Sequence, residues 1–249
     1  MINNRTYNIV RCFFILVFAI CLILFNTGCG LEAFYDIEEP NTKGETLPEA
    51  NNLSDYTKRF FNFTTASSEG QSNFTFMGTD VYYKIYTNKE DWEREKSDLI
   101  NASKGAVANA ADKLIGTSGY GYSYQTLKIK DKNDNILIKE TKSKVKIRLT
   151  NYGSTEGEYA AFLKINDTLK GKCRPVRYNN KSFDFGRVEE RDKPTLSDYD
   201  IKGSSMPKDN KWIVCMFAVS KGHDDAYTPY YSNITYLGSV TIDGNEKNN

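Results

Sequence analysis

The sequence predicts a mainly β fold, an antiparallel β-sandwich with one inserted α-helix, and three observations lead there. Apolar and polar residues alternate in several short runs, one longer stretch at about 89–115 switches to the helical period, and turn-forming residues separate the runs at sandwich-like spacing. A strand with one apolar and one wet face belongs to antiparallel sheet, because parallel sheet is buried on both sides. Taken in order, Phe61 and Phe63 share one side of a short strand, and Phe74 and Phe76 repeat the pattern after the turn at Ser67–Ser72. Val81, Tyr83 and Ile85 then alternate with Tyr82, Lys84 and Tyr86. Asn88 can cap the helix, with Glu90, Asp91 and Glu93 in its first turn, where acids favour the helix dipole. Trp92, Leu99, Ile100, Val107, Ala110, Ala111 and Leu114 form its apolar stripe, for packing onto a sheet, and Gly116 is placed to stop it. Gly105 costs this helix about 1 kcal/mol relative to Ala, so it depends on tertiary contacts.

Strands resume with Leu127 and Ile129, then Val145, Ile147 and Leu149, then Tyr159, Ala161, Leu163 and Ile165. Irregular strands and loops are expected over Thr168–Pro207. Trp212–Ser220 is apolar on both faces and too short for a buried helix, so it should be a central strand. A polar loop with Pro229 leads to an edge-like strand bearing Ile234, Tyr236, Val240 and Ile242.

The chain of 249 residues is long enough to bury roughly three quarters of its surface, so it needs neither metal nor disulfide merely to fold. Its formal charge of +1 offers no excess to neutralise phosphates, which argues against nucleic acid as a partner. Arg5 and Arg11 precede the uncharged run Cys12–Phe25, which is 14 residues long. That is short for a spanning helix, which needs about 20 residues, and suits the apolar core of a secretory leader.

The residues that follow, Asn26-Thr27-Gly28-Cys29, resemble the lipobox of bacterial lipoproteins, with Asn26 where that family usually has Leu; relaxed versions of this kind are similar to those of spirochaetal lipoproteins. The resemblance implies a signal peptide over 1–28 and lipid attachment at Cys29, hence a membrane-anchored protein of the cell envelope, on the inner or outer membrane. Removing the leader discards Arg5 and Arg11 and no acid, which turns the charge from +1 to −1. It leaves Cys173 and Cys215, which either pair as a disulfide, as an exported protein permits, or stay buried as thiols. Residues 29–55, with Pro40, Gly44 and Pro48 and no sustained period, read as a flexible tether, and 56–245 as the sandwich domain.

Trp212–Ser220 with the strand after it resembles the last two strands of fibronectin type III domains, through Val214, Met216, Ala218 and Val219. Gly78–Tyr86 is similar to an earlier strand of the same family, while Trp212 replaces the family's corner tyrosine. The domain is about twice the length of one such module, so the resemblance implies a sandwich with a helix-bearing insertion between its two ends.

Residues able to carry chemistry are few. His223, Asp224 and Asp225 are adjacent in a predicted loop and cannot all face one ion, and no second His completes a common metal site or supports a triad. Asp131–Asn135 opens like a calcium loop but has Ile136 at its sixth position and Lys142 at its twelfth. Gly116, Gly119 and Gly121 follow a helix rather than open one, so they offer no phosphate cradle. No catalytic residue, metal or cofactor is expected. Tyr227, Tyr230 and Tyr231 fall in the loop before the last strand, where they either make a contact surface for a protein or glycan or pack over their own loop. The expected function is a non-enzymatic binding or structural role; the alternative is an exported carbohydrate-active enzyme using a carboxylate pair.

Overall fold

The computed structural model describes residues 35–50, 58–67, 72–105, 107–116, 121–130, 132, 134–150, 160–169, 173–186 and 193–245. The leader 1–28, Cys29 and residues 30–34 and 51–55 of the expected tether lie outside the described residues. The domain is mainly β, and its ladders are antiparallel but for one short pair. A large sheet has the order β11 (Pro229–Asp243), β10 (Lys211–Asp224), β2 (Phe74–Tyr86) and β3 (Gln125–Thr126), with β9 (Ile201–Lys202) parallel to the end of β2. A smaller sheet runs β1 (Phe61–Thr64), β5 (Lys144–Arg148), β6 (Phe162–Ile165) and β7 (Thr168–Leu169), and β4 (Lys128–Ile129) pairs with β8 (Pro175–Val176).

Alternation along β2 and β10 builds a core on each face of the large sheet. Val81, Tyr83 and Ile85 join Trp212, Val214, Met216 and Ala218 against Phe61, Phe63, Val145, Ile147 and Leu163 of the smaller sheet. Tyr82, Tyr86, Cys215, Phe217 and Val219 face the other way, against Trp92, Leu99, Ala110, Ala111 and Leu114 of the helical layer. Coverage on both sides is why Trp212–Ser220 is apolar throughout, and β10 is the central strand its composition predicts.

The helix expected over 89–115 is two helices, α1 (Lys89–Ser103) and α2 (Val107–Ile115). Asn88 caps the first through a 2.8 Å bond from the Asp91 N–H. The break falls at Lys104–Gly105, where both N–H groups turn back onto the last residues of α1 and the Asn233 side chain donates to the Ser103 carbonyl at 2.8 Å. Gly116 ends α2 with φ +80°, and Tyr122 and Tyr124 donate to the carbonyls of Lys113 and Leu114.

Residues 35–50, expected to be extended and free, instead strap across one side of the two sheets. Asn41 pairs with Thr64 on β1, the edge of the smaller sheet. Thr235, Ser239 and Thr241 on β11, the edge of the large sheet, donate to the carbonyls of Pro40, Pro48 and Ala50. Ile37 and Ala50 are buried, and Ser67 donates to Glu38. The segment is polar in sequence because its role is to satisfy two strand edges, which would otherwise invite pairing with other chains.

The described residues of 168–207 are irregular, as expected, and a buried ionic knot holds them. Arg177, fully buried, donates to both oxygens of Asp200 at 3.0 and 2.8 Å and to Asp198 at 2.8 Å. The Tyr83 hydroxyl donates to Asp200 at 2.8 Å and receives the Tyr178 N–H at 2.7 Å.

Candidate functional site

The predicted contact loop is a tight turn, and the strands run almost to its tip. His223 pairs with Pro229 and Gly222 with Tyr230, so the polar stretch continues the β10–β11 hairpin that the sequence ends at Ser220. Asp224 organises the turn by accepting the N–H groups of Ala226 and Thr228 at 2.9 and 2.8 Å. The three tyrosines separate accordingly. Tyr227 stands 79% exposed at the tip, its ring stacked on His223 at 4.9 Å. Tyr230 packs edge-on against Tyr35 at 4.9 Å, Tyr35 stacks on Phe74 at 4.8 Å, and the Phe74 ring covers the bare backbone of Gly222. Tyr231 packs onto the helical-side core with the Lys221 ammonium over its ring at 5.9 Å. Of the three tyrosines, Tyr227 alone is therefore presented as a contact residue.

Cys173 and Cys215 are free thiols, a correction to the disulfide reading. They belong to opposite faces of the large sheet, Cys173 to the inter-sheet core and Cys215 to the helical-side core, so β2 and β10 stand between them. Burial pushes the Cys215 thiol up to about 11, against the pull of Ser239, Tyr124 and Trp92.

The helical side also hides charge, with Lys84 and Glu95 buried there. Lys84 donates to Glu95 at 3.1 Å, and the Tyr86 hydroxyl reaches the same carboxylate at 2.8 Å. Tyr86 and Tyr124 hydroxyls meet at 2.8 Å, and Lys84 also donates to the Tyr122 carbonyl. Burial pulls the Lys84 ammonium below its ordinary value although Glu95 opposes the shift. Each group has its partner, so this network holds α1 to the sheet rather than awaiting a ligand.

A cleft of about 160 Å³ opens at the edge of β2, where the strand passes from its bridge with Ile138 to its bond with the Leu127 N–H. Leu127, Ile129, Leu137, Leu163 and Cys173 make an apolar floor. Asp80, Asp134, Asn135, Lys128, Lys132 and Lys221 supply donors and acceptors around it. Asp80 is only 4% exposed and accepts the Leu137 N–H at 3.0 Å. Burial raises its carboxyl above the ordinary value, while the Leu137 N–H, Lys221 and Lys128 pull the other way. An apolar floor with a few convergent polar groups is the usual make-up of a small-ligand site.

Among the described residues, no group of three or more His, Cys, Asp or Glu side chains is arranged to hold a metal, and no helix is long and apolar enough to cross a membrane. Asp131 and Asn133 of the calcium-like stretch lie outside the described residues. Compared with family models, with curated proteins and with solved structures, the chain matches none.

Proposed function

We propose that the chain is a lipid-anchored protein of the cell envelope that displays its β-domain and works by binding, with the end of a glycan as ligand. The observation that carries the anchor is the uncharged run Cys12–Phe25 leading through small residues to Cys29. The fibronectin type III-like pattern of Val214, Met216 and Ala218 supports a display scaffold. The β2-edge cleft supports the ligand, because acceptors on Asp80, Asp134 and Asn135 and donors on three lysines suit sugar hydroxyls, while the apolar floor suits a ring's C–H face. Mass spectrometry of the N-terminal peptide tests the anchor; an unmodified Cys29 refutes it. A glycan array probed with the mature domain tests the ligand. Retention that Asp80→Asn and Asn135→Ala abolish supports the reading, and an empty array removes it.

Asp80 and Asp134 sharing one cleft, with Asp80 raised as a general acid would be, favour carbohydrate hydrolysis as the second reading. Release of reducing ends from an array-positive glycan, lost in Asp134→Asn, would replace binding by catalysis.

A further inference from the structure

We propose that the β10–β11 turn is the membrane-facing end of the domain, with the Tyr227 ring resting on a zwitterionic bilayer surface. The inference rests on the lipid anchor at Cys29 proposed above. Six residue steps separate Cys29 from Tyr35, so this connection spans at most about 21 Å. Tyr35 is pinned: its ring lies against Phe74 and Tyr230, and its hydroxyl donates to the Asn73 carbonyl at 3.2 Å. All three partners sit at the end of the large sheet where β2 begins and the β10–β11 hairpin turns, since Phe74 pairs with Asp224 and Tyr230 with Gly222. Tyr35 is thus fixed at the turn end of the sheet, and the six steps bound how far the anchor can lie from that end.

The turn at that end is shaped for an interface. Tyr227 holds φ +63° and is fixed by its N–H bond to the Asp224 carbonyl at 3.0 Å. Its ring is presented 79% exposed and braced by His223, an aromatic with a polar tip of the kind that settles at headgroup level. Asp224 and the exposed Asp225 flank it, and two acids there oppose an anionic surface and leave a zwitterionic one. The other end of β10, at the Lys208–Asn210 turn, lies about 43 Å away along the strand.

The test places an environment-sensitive fluorophore on Tyr227→Cys or, as a second site on the same turn, Asp225→Cys, and on Lys208→Cys at the far end. The lipidated full chain is reconstituted in phosphatidylcholine vesicles carrying a headgroup-quencher lipid; Cys173 and Cys215 are buried and do not compete for the label. The expected result is loss of most of the fluorescence at both turn positions and none at Lys208. Equal quenching at the two ends, or none at either, with lipid confirmed on Cys29 overturns the orientation and leaves the anchor standing. Absence of lipid on Cys29 overturns both.

Discussion

Replacing Gly238 by Ala asks whether residues 35–50 are a strap or a tether. Gly238 sits in a bulge of β11, where Met216 pairs with it and Phe217 pairs two residues further back, with Tyr236. Its φ is +114°, and a Cβ there would lie 2.5 Å from Pro48 Cδ, 2.7 Å from Pro48 Cγ and 2.8 Å from the Pro48 carbonyl oxygen. The backbone strain costs roughly 1–2 kcal/mol, and forcing a methyl into filled space adds about 1–3 kcal/mol. Gly44 is the internal control, since its φ is +79° but a Cβ there meets nothing within 4 Å. Gly44→Ala should therefore pay the strain alone. At this domain size each kcal/mol lowers Tm by roughly 2–4 °C, so thermal unfolding should fall by about 10 °C for Gly238→Ala and about 4 °C for Gly44→Ala. Urea titration should rank the two in the same order. Equal losses for the pair would refute the packing of Pro48 on β11 and return the segment to a tether.

The buried pair gives a second expectation: Lys84→Met strands the Glu95 carboxylate beneath α1 and should cost about 3–5 kcal/mol in urea unfolding, most of which Lys84→Met with Glu95→Leu should restore. The ionic knot gives a pH signature. Burial alone would raise Asp198, but hydrogen bonds from Lys181 and Arg177 outweigh it and hold the carboxyl below 3.8. Its contribution is therefore complete above the unfolded value and is lost as pH falls through the lower folded one, so Asp198→Asn should flatten the acid limb of a stability–pH curve below about pH 4. For the thiols, the unfolded mature domain should take up two equivalents of an alkylating reagent without reductant, whereas a pairing of Cys173 with Cys215 would leave none to react.

Where the chain obeys a fixed period against a fixed environment, its fold could be read directly. Val81, Tyr83 and Ile85 face the inter-sheet core as their alternation requires, and Asn88 and Gly116 bound the helical region where their chemistry places them. Phase was lost at bulges. Ile234, Tyr236, Val240 and Ile242 occupy even positions and read as one face, yet Ile234 and Tyr236 lie on the helical side and Val240 and Ile242 in the inter-sheet core. The extra residue at Leu237 reverses the alternation between them, and a bulge has no sequence mark beyond the neighbouring Gly238. Lys84 misled for a related reason: period two says which residues share a face, but not that the second face is covered by helices.

The cleft was out of reach of sequence reasoning because no local pattern holds it. Asp80 stands on β2, Lys128 on β4 and Lys221 on β10, while Asp134 and Asn135 come from the stretch that opens like a calcium loop. Separately each is a residue on a wet face or in a turn, and only the register of β2 against Ile138 and Leu127 sets them around one opening. The tyrosines show the converse. Tyr227, Tyr230 and Tyr231 look equivalent as a cluster, but a hairpin turns successive residues to opposite faces, so Tyr230 and Tyr231 must divide between two sides while only the tip residue escapes both. A cluster of aromatics within a strand is therefore weaker grounds for a contact surface than one aromatic at a turn whose backbone is already satisfied, and Tyr227, with Asp224 holding the turn beneath it, is the residue that meets that condition.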